Sequence, residues 1–190
     1  MKHLIIYAHP SSESLNATIK DYLVNILKDK HEVKIRDLNQ LNFNPVLSER
    51  DLNDQRRGVV ADDVKTEHQL IEWAEYLTFI YPIWWTGMPA IMKGYIDRVF
   101  SYGFAYRYVK GKQQGLLNHK KIVIINTQGK SAEEYRESGM HHALTLTSDF
   151  GIFNYCGMKI MTHFYFDRAD RITSTQINDL CSTIDDIYQR

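Results

Sequence analysis

What most restricts the fold is a set of short apolar runs that do not alternate: Leu4 to Ala8, Tyr76 to Tyr81 and Ile122 to Asn126. Strands of this kind are buried on both faces, as in a parallel sheet with helices above and below it. Helical stripes separate them. Leu15, Ile19, Tyr22, Leu23, Ile26 and Leu27 recur at intervals of three and four, with Ser14 placed as the N-cap. Glu32 to Leu38 alternates, which suits a more exposed strand near the sheet edge. Val64 to Ala74 reads as a helix, and Pro82 should end the strand before it. Pro89 stands where a first-turn proline belongs, ahead of the face formed by Ile91, Met92, Tyr95, Ile96, Val99 and Phe100.

The segment from Asn39 to Asp63 has no clear period and reads as a surface connection with a helical turn near Ser48 to Asn53. Beyond Asn126 the sequence predicts a polar stretch from Thr127 to Ser138, a helix from Met140 to Phe150 and a strand from Met158 to Phe166. A last helix from Ser174 carries the stripe Ile177, Leu180, Cys181, Ile184 and Ile187. Strands alternate with helices without repeat or linker. The expectation is one doubly wound α/β domain over residues 1–190, a five-stranded parallel sheet with helices on both faces.

With 190 residues, such a domain buries roughly 70% of its unfolded surface and needs no disulfide or metal to hold a core. Cys156 and Cys181 form no CxxC pair, which points to a reducing cytoplasm. Lys and Arg number 23 against 23 Asp and Glu, and no long basic run occurs, so nucleic-acid binding is not expected. No stretch approaches the roughly 20 apolar residues of a membrane helix, and the N-terminal run is too brief for a secretory leader.

Ligands of doubly wound sheets bind beyond the carboxyl ends of the strands. Three loops lie there: His9 to Ser14, Pro82 to Met88, and Thr127 to His142. The first enters a helix through His9, Ser14, Leu15 and Asn16, and free helix N–H groups suit a phosphate, although Ser14 also serves as a plain cap. Neither G-x-x-x-x-G-K-[ST] nor G-x-G-x-x-G occurs. The second places Trp84 and Trp85 between prolines, a stacking surface for a planar ligand or a cover for the following helix. The third brings Thr127 and Gly129, with Tyr135, His141 and His142 further on as hydrogen-bond donors. Adjacent His141 and His142 point apart on a helix, so no metal site is expected.

Taken together, the phosphate-type loop, the aromatic loop and the Thr-Gly loop resemble the flavodoxin-like fold. More closely, the chain resembles the NAD(P)H:quinone oxidoreductase family, the DT-diaphorase relatives. The resemblance rests on Tyr7-Ala8-His9-Pro10 with Ser14-Leu15-Asn16, Asn42-Phe43-Asn44-Pro45, and Pro82-Ile83-Trp84-Trp85 with Gly87-Met88-Pro89-Ala90. It continues in Lys93-Gly94, Asp97-Arg98-Val99-Phe100, Gly103-Phe104-Ala105-Tyr106, and Thr127 with Gly129.

The resemblance implies that His9, Ser14, Leu15 and Asn16 hold the phosphate and ribityl part of a flavin. It places Pro82, Ile83, Trp84, Trp85, Thr127 and Gly129 along the isoalloxazine. Tyr135 and His141 match donors that steady charge at the reduced flavin, and Tyr106 and Tyr108 match aromatics reaching the partner subunit's site in a homodimer. Three departures stand out: Gln128 replaces a family glycine, Lys130 to Tyr135 is one residue longer than in mammalian members, and their C-terminal extension is missing. The last favours FMN over FAD. The implied activity is two-electron transfer of a hydride from NAD(P)H to flavin N5 and on to a quinone or similar small aromatic acceptor, with ping-pong kinetics. Two rivals share the resemblance: an ancillary regulatory flavoprotein of a glutathione-gated potassium efflux system, and a one-electron carrier like flavodoxin.

Overall fold

The computed structural model describes residues 1–188. Its sheet has the order β2-β1-β3-β6-β7, built from β1 (Lys2–Tyr7), β2 (Glu32–Asp37), β3 (Tyr76–Pro82), β6 (Lys121–Thr127) and β7 (Lys159–Phe166). Every pairing is parallel. This is the doubly wound parallel sheet expected from the apolar runs, in the flavodoxin-like arrangement that the resemblance implied. Side chains alternate across the sheet. Leu4, Ile6, Phe79 and Ile124 face a layer made by α3 (Asp62–Trp73) and α4 (Ala90–Val99), through Ile71, Met92, Tyr95 and Val99. Ile5, Tyr7, Ile80, Val123 and Ile125 face α1 (Leu15–Leu27) and α7 (Ser174–Tyr188), through Ile19, Leu23, Leu180 and Ile184. Among the described residues no helix is long and apolar enough to cross a membrane, and both cysteines are free thiols.

Several boundaries differ from expectation for identifiable reasons. β3 ends at Pro82, as expected, but takes Pro82 in as its last residue, paired with Thr127; the next amide, Ile83 N–H, donates to Thr127 O at 2.8 Å. The connection after β2 holds a full helix, α2 (Glu49–Arg56), with a capping box between Ser48 and Asp51. It buries no residue, so no apolar stripe announces it. The connection passes close over α4 at Gly94, where a Cβ would lie 2.2 Å from Pro45 O.

The segment after α4 is a hairpin of β4 (Tyr106–Val109) and β5 (Lys112–Gly115). Lys110 and Gly111 turn it with φ of 52° and 76°, the pair of left-handed residues that matches strand twist. Ala105 is fully buried, Phe104 stacks on His68 with ring centroids 3.5 Å apart, and Tyr106 packs against Tyr155. Tyr108 does remain exposed.

Beyond β6, the stretch read as a polar loop contains α5 (Ala132–Glu137), capped by Ser131 and Glu134. The helix expected over Met140 to Phe150 starts as α6 (Met140–Leu144). It then widens into a π-helix over Thr145–Asn154.

Candidate active site

Four strand-end loops meet around a cavity of about 460 Å³ at the carboxyl edge of the sheet. From the first loop come His9, Ser14, Leu15 and Asn16; from the second, Pro82, Ile83 and Trp84; from the third, Thr127, Gln128 and Gly129. The fourth, between β7 and α7, adds Ala169 and Asp170. This fourth loop was missed in the sequence, although the strand-end rule that selected the other three applies equally to it.

The floor is the N-terminus of α1. Ser14 Oγ accepts from Ala17 N–H at 3.1 Å and donates to Ser11 O at 3.0 Å, so the cap is occupied within the loop. The earlier N–H groups, those of Leu15 and Asn16, have no partner inside the helix and suit an anion. Glu13 and Asp170 also line the cavity, so this attraction comes from the helix end and not from side-chain charge. His9 Nδ1 accepts from Ser11 N–H at 3.0 Å, which leaves Nε2 as the ring's donor.

The inner wall joins loops one and three. Asn16 Nδ2 donates to Thr127 Oγ1 at 2.8 Å, while Asn16 Oδ1 and Gln128 Oε1 are buried without a partner among the described residues. Buried acceptors of this kind call for donors. Hydroxyl groups of a bound ligand would satisfy them. No atom lies within 4 Å of where a Cβ at Gly129 would stand. The third loop therefore leaves open space, which a planar ring system fits.

The second loop is strained. Trp84 and Gly87 exchange backbone hydrogen bonds of 3.0 and 3.1 Å across a two-residue turn in which Trp85 and Thr86 have φ of 49° and 58°. Left-handed non-glycine residues cost on the order of 1 kcal/mol each and collect at functional sites. The turn sets Trp84 edge-on to His9, with ring centroids 5.7 Å apart, and throws Trp85 into solvent at 99% exposure. Among the residues assigned to the flavin's phosphate, ribityl chain and ring, Trp85 is the one whose side chain stays out of the cavity.

Tyr135 and His141 lie behind this wall. Tyr135 is buried in a small cluster with Ile83 and Leu144, and His141 packs on Tyr165 with centroids 4.7 Å apart. His142 is the exposed neighbour. Tyr106 and Tyr108 are not brought to this cradle; they sit on the hairpin beside Tyr155, where Tyr108 Oη lies 3.0 Å from Tyr155 Oη. Among the described residues no group of three or more His, Cys, Asp or Glu side chains is placed to share a metal.

A family model described as the flavodoxin-like fold matches residues 1–184. A Haemophilus influenzae protein named an uncharacterized NAD(P)H oxidoreductase is 41% identical over 161 residues, 84% of this chain and 80% of its own length. NAD(P)H dehydrogenase (quinone) 1 of Rattus norvegicus is 31% identical over 179 residues, and the match takes in 83% of this chain but 65% of the rat protein. Among solved structures, the NAD(P)H:quinone oxidoreductase from Methanothermobacter marburgensis is similar with a TM-score of 0.85 at 26% identity, over 96% of this chain and 94% of that one. With sheet order, strand-end cradle and these likenesses in agreement, the chain belongs to the flavodoxin-like NAD(P)H:quinone oxidoreductase family and is an oxidoreductase.

Proposed function

We propose that this protein is an FMN-dependent NAD(P)H:quinone oxidoreductase. The observation that carries the reading is the cradle itself, where a capped helix N-terminus, two unpartnered buried acceptors and a strained aromatic turn share one cavity. FMN, when bound, supplies two-electron chemistry between NAD(P)H and a quinone. The α1 N-terminus with His9, Ser14, Leu15 and Asn16 holds the phosphate and ribityl end. Pro82, Ile83, Trp84, Thr127 and Gly129 orient the ring. Trp85 contributes the conformation of its turn more than its indole. Tyr135 and His141 are assigned as the donors that stabilise negative charge developing in the site, through Oη–H and an imidazole N–H.

The reading includes a homodimer. Tyr108 on the hairpin and Leu146 and Phe150 on the π-helix are large, exposed apolar groups that a second copy would cover. In the dimer Tyr106 and Tyr108 would complete the partner's pocket. A monomer by light scattering that keeps full reductase activity would remove this part.

The deciding experiment is acid release of flavin from the purified protein. About one FMN per chain is expected; FAD as the sole flavin overturns the cofactor assignment, and protein that takes up neither overturns the whole reading. Initial-rate kinetics with NAD(P)H and a quinone should give parallel reciprocal plots. Intersecting plots would mean that both substrates bind together.

A further inference from the structure

Beneath the cradle lies a buried polar chain that the proposed function does not use. His163 on β7 has a side chain only 6% exposed, with Nδ1 2.8 Å from Asp149 Oδ1. Its Nε2 lies 2.7 Å from Asn126 Oδ1. The orientation of that amide is fixed independently, because Asn126 Nδ2 donates to Tyr81 O at 3.1 Å. The same Asp149 oxygen also accepts from Ser148 Oγ at 3.0 Å. An imidazole with oxygen acceptors at both nitrogens is satisfied only when both carry protons, since a lone pair there would face another lone pair.

We propose that His163 is held as an imidazolium between Asp149 and Asn126 and is a positioning residue for the flavin cradle. The proposal rests on the flavin reading above. Asn126 bridges the ends of β3 and β6 one residue before each enters the cavity wall: Tyr81 precedes Pro82 and Ile83, and Asn126 precedes Thr127. Ile83 N–H donates to Thr127 O, and Thr127 Oγ1 accepts from Asn16. The amide that His163 holds in place therefore adds a side-chain tether to the inner wall beyond the β3–β6 backbone ladder. At the other nitrogen, Asp149 brings in the π-helix, whose Ser148 and Asp149 are buried while Leu146 and Phe150 face outward.

The other ionisable groups around the ring do not supply a competing charge. Tyr165 stacks on His163 with centroids 4.0 Å apart, and burial pushes its hydroxyl well up from the ordinary value. Burial likewise raises Tyr81, to about 12. Lys93, on α4 across the cavity of about 430 Å³ that these residues line, donates to Asp97 at 2.5 Å. The carboxylate facing the ring is that of Asp149.

Nitrogen NMR of protein labelled at histidine tests the charge state directly. Both His163 ring nitrogens should be protonated at neutral pH, and a ring with one bare nitrogen overturns the proposal. His163→Phe keeps a ring against Tyr165 but removes both hydrogen bonds. With far-UV circular dichroism unchanged, its FMN dissociation constant should rise at least tenfold; a value within twofold of wild type overturns the positioning role. Should that variant fail to fold, Asp149→Asn keeps shape while removing the charge. With the counter-charge gone, the His163 ring-nitrogen shifts should move and FMN should bind at least threefold more weakly, and an unchanged spectrum or affinity refutes the proposal. Wild-type protein that binds no FMN would instead sink the flavin reading, while the NMR measurement still reports on His163.

Discussion

Two buried charge networks make an instructive pair. Arg98 on α4, with a side chain 5% exposed, donates to both carboxylate oxygens of Asp63 and to Asn44 O, and lies 3.5 Å from Asp51. The guanidinium also sits over the Phe43 ring at 5.4 Å. All of these partners belong to the connection after β2 or to the start of α3, so this network ties a long surface segment onto a helix. The His163 network instead joins β3, β6, β7 and the π-helix directly under the cradle. Both bear the desolvation cost of a buried charge. Their consequences differ because their partners differ: one clamp holds the fold's outer wrapping, the other the wall of the site.

The largest effect that could break this contrast is on stability. Arg98→Met leaves Asp51 and Asp63 without their cation, and breaking a buried pair costs about 3 to 5 kcal/mol; partial exposure of Asp63 favours the lower figure, about 3 kcal/mol. The urea midpoint should fall accordingly while the folded variant binds FMN as tightly as wild type. Weakened FMN binding by folded Arg98→Met would erase the distinction between the two networks.

Next in size is a change confined to the site. Tyr135→Phe should slow reduction of the bound flavin by NAD(P)H on the order of 10²-fold, with His141→Gln acting in the same direction but less, because its ring leans on Tyr165. FMN should stay bound and the urea midpoint should move little. Stopped-flow rates within about twofold of wild type for both variants would take them out of the mechanism.

Ser14→Ala removes a cap that also shapes the phosphate end of the cradle. It should cost about 1 kcal/mol of stability and weaken FMN as well, so a loss of stability alone would mark Ser14 as a cap and nothing more.

The smallest effect is on acid sensitivity. The hydrogen bond from Arg98 holds the Asp63 carboxyl below the usual range against the opposing push of burial. A depressed folded value means that the contribution is complete above the unfolded pKa of about 4 and disappears as pH falls through the folded value. Asp63→Asn should therefore flatten the dependence of stability on pH below about pH 4. A profile there that matches wild type would show that the clamp does not depend on this carboxylate.

Much of the fold was legible because it is written in short-range pattern. Leu4 to Ala8, Tyr76 to Tyr81 and Ile122 to Asn126 are apolar but for Thr78 and Asn126, since each run is covered on both faces, and Ser14 caps α1 through a neighbour three residues away. Three of the four loops around the cavity could be picked out for the same reason: each follows a strand that the pattern had already located. α2 was legible only as a helical turn near Ser48 to Asn53, and the hairpin escaped, because both bury little and so leave no period; the Lys110-Gly111 turn was the local mark of the hairpin.

By itself, then, the sequence determined the five strands of the sheet and the main helices that cover it, because burial and capping act on residues close together in the chain. Tertiary structure alone decided that Thr145–Asn154 would wind as a π-helix, that Trp85 would turn outward, and that Asn126, Asp149 and His163 would meet. Those three residues lie on separate elements, and a lone buried histidine in a strand looks the same in sequence whether or not acceptors await it. Hydrogen bonds between distant segments depend on distance and direction in space, which no local pattern records.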